Sequence, residues 1–283
     1  MLAGVLRAIS HSVPGQGLAA LRFWGQSGER PGAWLAAADP VHLEARLDHL
    51  CLYALRGDDI SRTDLRDLFD HLQKTLGDDE RYTFARLGHF GYLHGHEPIA
   101  TAAVSPEVVD GRAPDEFMPA GDHAVTHDHL LGETQMALHD HEVNQRRSLC
   151  GRRSVNSIWF WGGGIAPEKD ALPIPPLFAH DPLFKGYWNS CTGLIDSWEG
   201  NFDDCLNKAA DGFVAVVPDE IDYAQPEAMA TCLENLRVIL RRGDLRALTL
   251  LFRDGLKIEV EKKDAFRFWR KVSPLLMEAG NNA

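Results

Sequence analysis

The chain has little positive charge, few and scattered cysteines and no long apolar run. Its five cysteines, Cys51, Cys150, Cys191, Cys205 and Cys232, are odd in number, scattered and never spaced C-x-x-C. That argues against a disulfide framework or a zinc knuckle, and it predicts a protein of the reducing cytoplasm. No apolar run approaches the roughly 18 residues of a membrane span. The opening MLAGVLRAISHSVPGQG has one arginine and too short an apolar stretch before Pro14 for a signal peptide. Lys and Arg total 29 against 41 Asp and Glu, a formal net charge of -12. Nucleic acids and anionic membranes require a positive face, so neither is an expected partner. A small phosphorylated ligand held by a few local arginines stays compatible with that balance. There is no G-x-G-x-x-G fingerprint, no Walker loop and no nucleophile elbow.

What is present is ordinary in bulk. The 283 residues are 45% hydrophobic and 25% charged, enough to bury a sizeable core. Residues 1–32, broken by SVPGQG and GQSGERPG, read as an irregular N-terminal segment. Residues 33–283 read as one α/β domain. Around ADPVHL the chain reads as two short strands about a Pro-centred turn, with helix competing in the second half. ISRTDLRDLFDHLQKTLG predicts a helix capped by Ser61 or Thr63, with a stripe of Leu65, Leu68, Phe69, Leu72 and Leu76 and a stop at Gly77. RYTFARLGHFGYL reads as strand with a glycine break. Residues 97–125 read as a loop-rich connector, and 167–186 as a Pro-rich loop. One long helix is expected from His127 to about Leu149, ending at Gly151. VNSIWFW reads as a strand, and PLFKGYWNSC and DDCLNKAA as short helices. FVAVV reads as a buried strand, PEAMATCLENLRVILRRGD as a helix ending at Gly243, and KKDAFRFWRKV as a closing helix. Asp254-Gly255 between two alternating runs signals a hairpin. The predicted class is α/β, with a mixed, mostly central covered sheet and helices on its faces.

NSIWFWGGG, residues 156–164, sets large aromatics directly before three glycines. Period-two alternation puts Ser157, Trp159 and Trp161 on one face and Ile158 and Phe160 on the other, as in a strand covered on both sides. Gly162, Gly163 and Gly164 at its carboxyl end could form an anion-binding nest. Arg146, Arg147, Arg152 and Arg153 lie within eight positions of one another and could supply charge. The alternative is a tight turn passing a packed neighbour, with the arginines at a solvated helix end. The ligand-binding candidates are therefore Gln135, Asn144, Arg147, Arg153, Asn156, Trp161, Gly162, Gly163 and Gly164.

Two further constellations are candidates for chemistry. Asp39 and His42, three residues apart, could act as an acid/base pair, or Asp39 could brace an Asx turn. His123, His127, His129, His139 and His141 fall within nineteen residues. As a weaker alternative, His127, His129 and His139 could hold a divalent metal, with His139 also a candidate catalytic group. On one helix His139 and His141 would point about 200° apart and could not chelate as a simple pair. No metal or other cofactor is the main expectation.

WLAAADPVHLEARLDHLCL, the block from MPAGDHAVTHDH through QMALHDHEVNQRRSLCGRRSVNSIWFWGGG, then HDPLFKGYW and AFRFWRKV together resemble a bacterial family, in order and spacing, over about residues 33–275. Its members are known as RpfE-type regulatory proteins, or loosely as cofactor-independent phosphoglycerate mutase-like. NSIWFWGGG is also similar to a strand-and-glycine element of archaeal-type mutases. Where those carry Arg-Ala-Asp, this chain has Ala37 before Ala38-Asp39. The resemblance implies a remnant of the alkaline-phosphatase and phosphoglycerate-mutase scaffold. Such mutases use two metals and a serine nucleophile. Here no early strand ending in Asp-Gly and no histidine after His180 supply ligands. The expectation is a mutase-like protein without that chemistry, binding a small anionic or phosphorylated ligand in a regulatory or accessory role. A metal-dependent phosphatase or mutase, and a protein-interaction module with tryptophan anchors, are the alternatives.

Overall fold

In the computed structural model, which describes residues 1–55, 57–78, 80–218 and 226–266, the chain divides into two compact units. The larger comprises residues 14–174 and 180–195. Its central element is an eleven-residue strand, β1 (Leu35–Ala45). One edge of β1 pairs antiparallel with β5 (Ser157–Gly164) along almost its whole length. The other edge is shared by two partners. β4 (Phe90–Gly95) pairs with Leu35–Ala37, and β2 (Leu50–Ala54) pairs with Val41–Ala45. β3 (Tyr82–Leu87) extends the sheet beyond β4 through a hairpin that turns at Gly88, where φ is +62°. All five strands pair antiparallel. The fold is thus α/β with an antiparallel main sheet, rather than a mixed one.

The turn expected at Asp39-Pro40 is absent, because both residues lie inside β1. A central strand tolerates proline only where its missing N–H has no partner to serve. Pairing with β4 ends at Ala37 and pairing with β2 begins at Val41, so Pro40 falls in the gap between them.

Both faces of the sheet are covered. On one, Ala36, Ala38, Ile158 and Phe160 pack with α3 (Arg62–Leu76), α5 (Val125–Leu138) and α6 (Glu142–Leu149). Helix α3 matches its sequence signals. Ser61 accepts from the Asp64 N–H at 3.0 Å, Leu65, Leu68, Phe69 and Leu72 are buried, and Gly77 follows the last turn. The helix expected over His127–Leu149 is two helices, broken at His139–His141. On the opposite face, Ala37, Val41, Trp159 and Trp161 pack against α2 (Leu18–Ser27) and connector residues such as Ala102 and Val109. The connector also holds a one-turn helix, α4 (Pro106–Val109). Residues 1–32 are therefore not irregular: they carry α2 and, in the smaller unit, α1 (Leu2–Ala8).

Helix α2 lies against α7 (Pro182–Ser190), whose first residues end the expected Pro-rich loop. Their backbones touch through two glycines. A Cβ on Gly186 would lie 1.8 Å from the Leu21 carbonyl oxygen, and one on Gly25 would lie 1.9 Å from that of Pro182.

The smaller unit contains residues 1–13, 175–179 and 196–283. Its described elements include β6 (Leu177–Phe178) paired parallel with β8 (Val214–Ala215), and Asp196 of the two-residue strand β7 (Ile195–Asp196). Helices α8 (Phe202–Lys208) and α9 (Pro226–Arg242) close over them, burying Phe178, Trp198, Phe202, Leu236 and Ile239. The hairpin of β9 (Ala247–Leu251) and β10 (Lys257–Glu261) forms around Asp254-Gly255 as its sequence predicts. The predicted buried strand over FVAVV reduces to the two half-buried residues of β8. The closing helix shows only a 3-10 turn at Lys262–Phe266, and its remainder lies outside the described residues.

The glycine contact yields a paired expectation. Gly186→Ala sets a methyl against backbone that cannot swing aside and should cost about 1–3 kcal/mol. Gly132→Ala, inside α5 with open space around it, should instead stabilise by roughly 0.5–1 kcal/mol. Urea-unfolding midpoints of the two variants check both signs.

Candidate functional site

Asp39 sits where β1 passes beneath α2. Its Oδ2 accepts from Arg22 Nη1 at 2.7 Å and from Trp161 Nε1 at 2.6 Å. Arg22 is 4% exposed and Asp39 9%, so this ion pair is buried. Arg22 Nη2 also donates to the Gly91 carbonyl at 2.9 Å. The guanidinium lies 4.7, 4.9 and 5.3 Å from the ring centroids of Phe90, Tyr92 and Trp161. Burial opposes the charge on Arg22, but Asp39 and Tyr92 outweigh it and raise its pKa above the ordinary value. Burial also pushes the Tyr92 phenol up to about 12, and its hydroxyl donates to Gln26 Oε1. The carboxylate is thus locked by a cation and an indole. His42 cannot partner it, because an odd spacing along β1 puts the two side chains on opposite faces. Instead His42 Nδ1 lies 3.0 Å from the Ser154 carbonyl. Sequence reading missed Arg22. Its signal was a lone charge within LAALRFWG, flanked by Leu21, Phe23 and Trp24.

The glycine triplet is not an open turn. Gly162, Gly163 and Gly164 continue β5, with Gly164 opposite Leu35. The Gly162 N–H donates to the Ala102 carbonyl at 2.9 Å and the Gly163 N–H to Thr101 Oγ1 at 3.0 Å, while the Gly163 carbonyl accepts from the Gly17 N–H. A Cβ on Gly162 would lie 3.0 Å from that of Leu18, on Gly163 2.7 Å from the Trp34 ring, and on Gly164 2.4 Å from the Gly17 nitrogen. The residues are small so that the start of α2 and Trp34 can approach the strand. An anion nest needs free amides, and these two are spent. Trp159 and Trp161 are buried, 2% and 4% exposed, so neither is a surface anchor for a partner.

The polar candidates stand in for backbone. Asn144 donates to the Leu138 and Val155 carbonyls, each at 2.8 Å, and accepts from the Val155 N–H at 2.7 Å. This clamp ties the break between α5 and α6 to the approach of β5. Asn156 accepts from the Leu43 N–H at 2.7 Å and donates to its carbonyl at 2.8 Å, pairing like one more residue of β5. Arg147, 4% exposed, donates to the carbonyls of Arg153 at 2.7 Å and Asp59 at 2.6 Å. Burial pushes its pKa below the ordinary value. Gln135 donates to Ser157 Oγ at 3.2 Å. Arg146 bridges Asp64 and Asp67 on α3. Of the ligand-binding candidates only Arg153 keeps an exposed charged group, its guanidinium stacked 3.8 Å over Tyr53.

Among the described residues, the candidate ligands His127, His129 and His139 do not gather at one point. His127 is buried edge-on to Phe160, with Nδ1 3.0 Å from Asp128. His129 pairs with Glu133 and His139 with Asp140, both histidines exposed. The side chain of His123 lies outside the described residues. Among those described, no three His, Cys, Asp or Glu residues form a group that could hold a metal ion. With Asp39 also occupied, His127, His129 and His139 do not fit the two-metal site of a phosphoryl-transfer enzyme. His141 caps α6, its Nδ1 accepting from the Val143 N–H at 3.2 Å, and its ring lies 4.7 Å from that of His71. In the smaller unit, Asp203, Leu206, Asn207, Ala210, Arg242 and Asp244 line an open cleft of about 570 Å³. Its one arginine is already paired with Asp203 and Asp244. Among the described residues no helix is long and apolar enough to cross a membrane.

Two expectations follow. Asp39→Asn leaves Arg22 buried without its counter-charge and should cost about 3–5 kcal/mol, read from chemical denaturation. His141 is shifted below its ordinary pKa by burial and then by His71, so the folded state favours the neutral ring. Its contribution to stability is present above about pH 6.5 and is lost as pH falls through the depressed value. His141→Asn keeps a capping acceptor and removes that titration. Urea midpoints at pH 7 and pH 5 should therefore differ less in the variant than in wild type.

No protein-family model matches the chain. A probable 2,3-bisphosphoglycerate-independent phosphoglycerate mutase of Geobacter sulfurreducens is 31% identical over 145 residues, 48% of this chain and 35% of that protein. The 2,3-bisphosphoglycerate-independent phosphoglycerate mutase of Methanosarcina barkeri is 29% identical over 111 residues, 38% of this chain and 28% of that protein. Among solved structures, the cofactor-independent phosphoglycerate mutase of Thermoplasma acidophilum aligns with 84% of this chain and 71% of its own, at 18% identity and a TM-score of 0.40. The PH0037 protein of Pyrococcus horikoshii aligns with 83% of this chain and 62% of its own, at 13% identity and a TM-score of 0.46. The match spans about a third of the length of these curated relatives. Over part of its length, the chain is distantly similar to cofactor-independent phosphoglycerate mutases.

Proposed function

We propose that this chain is a phosphoglycerate-mutase-like protein that binds a small anionic ligand in a regulatory or accessory role, without the metal-dependent chemistry of a mutase. Kinship with RpfE-type regulatory proteins and a cytoplasmic location belong to the same proposal. The observation that carries it is the internal use of the residues that chemistry would need. Asp39 is neutralised by Arg22 and bonded by Trp161, and the glycine amides and Arg147 donate to other backbone or side-chain oxygens. A general base or metal ligand must face substrate, and a carboxylate held this way does not. The anionic half of the proposal rests on the exposed arginines, Arg152 and Arg153 among them, that stand out in an acidic chain.

The test combines two measurements on purified protein. A coupled mutase assay with 3-phosphoglycerate and Mn²⁺ should show no turnover above the blank, while calorimetric titration with 3-phosphoglycerate should show saturable binding. Conversion to 2-phosphoglycerate, or no binding of the anion, overturns the proposal.

A further inference from the structure

An anion needs donors within reach of solvent, and two exposed guanidiniums gather around Tyr53. Tyr53 lies on β2 directly opposite His42 on β1, half-buried, with its place set by the strand register. The Arg153 guanidinium stacks 3.8 Å over its ring. Arg46 Nη2 donates to its hydroxyl at 2.6 Å. One aromatic side chain therefore holds two guanidinium groups, and both arginines are exposed. The main chain beneath Arg153 is fixed as well, because its carbonyl accepts from the buried Arg147.

Resting on the anion-binding reading above, we propose that Arg46, Tyr53 and Arg153 form a clamp for a phosphate monoester. Stacking holds one face of the Arg153 guanidinium and leaves the N–H edge directed to solvent. Among the described residues, that guanidinium makes no hydrogen bond. Arg46 has one competing partner, Glu44 Oε1 at 3.2 Å, in a pair exposed to water. Exposed pairs of this kind are weak, so an incoming dianion exchanges for Glu44 at small cost. The choice of phosphate over carboxylate follows from number and charge. A phosphate monoester carries three terminal oxygens and close to two charges, enough to engage two guanidiniums at once. A single carboxylate fills one. Exposed Arg152 next in sequence adds to the local positive field in a chain of net charge -12. The ordinary cost of ordering a free arginine on binding is reduced here, because the tyrosine already orders both.

The experiment is calorimetric titration of the full chain at low salt with inorganic phosphate, 3-phosphoglycerate and glycerate. Phosphate and 3-phosphoglycerate should bind and glycerate should not. Arg153→Ala and Arg46→Ala should each weaken 3-phosphoglycerate binding by about tenfold or more. Tyr53→Phe, which keeps the stack but frees Arg46, should give a smaller loss. Arg66→Ala, an exposed arginine on α3, should change nothing. Circular dichroism melts confirm that each variant is folded. Binding unchanged in both Arg46→Ala and Arg153→Ala overturns the clamp and leaves the anion-binding reading standing. No binding of any probe overturns both. Glycerate binding as tightly as 3-phosphoglycerate overturns the phosphate assignment.

Discussion

The buried pair of Arg22 and Asp39 is the constraint around which the larger unit is organised. A charge inside a protein must find a counter-charge and hydrogen bonds. Arg22 arrives on α2, Asp39 on β1, Trp161 on β5 and the Gly91 carbonyl on β4, so one cluster of bonds joins a helix to three strands. Hydrophobic contact alone would let α2 slide over the sheet, because apolar packing has little direction. The ion pair fixes its register. Once α2 is placed, the glycines of β5 are needed, since the start of that helix meets the strand at backbone distance.

The same economy runs through the polar residues beside the sheet. Asn144, Asn156 and Arg147 each satisfy main-chain groups that have no partner in a regular element. Asn156 substitutes for a strand residue opposite Leu43, Asn144 for a turn of helix, and Arg147 for a loop's missing ladder. A buried carbonyl left alone costs free energy, so polar side chains near irregular backbone are drawn into this service first. That is why a row of amides and guanidiniums that reads as a ligand-facing surface became part of the scaffold. Arg153, whose carbonyl accepts from Arg147 while its exposed guanidinium stacks on Tyr53, marks where the scaffold meets the surface.

How much was legible depended on the range of the signals. Helix α3 was readable because its cap, its apolar stripe and its stop are all local. So was the 247–261 hairpin, with Asp-Gly between alternating runs, and so was the two-faced burial of Ile158 to Trp161. Pro40 misled because its local message is a turn, while its tolerance in a strand depends on where β4 ends and β2 begins. The break at His139–His141 was hidden because helix propensity continues through it, and only His141 and Asn144 reveal the restart. The glycine triplet reads two ways in the sequence, as an anion nest or as a pass by a packed neighbour, and the second is met, within a strand rather than a turn. Its neighbours, Gly17, Leu18 and Trp34, lie more than a hundred positions away in sequence, in a stretch read as irregular or as its border. For the candidate site, the sequence marked Asp39 and Trp161 but not the arginine that joins them.

The placement of β5 also sets the order in which this sheet can assemble. β1 and β2 are joined by a tight connection and can pair as a local hairpin. The bond from Trp161 to Asp39, by contrast, spans 122 positions. Closing a loop of that length costs about 2 kcal/mol more in chain entropy than closing one of ten residues. Until β5 docks, Ile158 to Trp161 is an apolar strand with both edges unpaired. A strand in that condition is a template for association with other chains. The strand that is buried on both faces at the edge of the native sheet is thus a segment open to aggregation during folding.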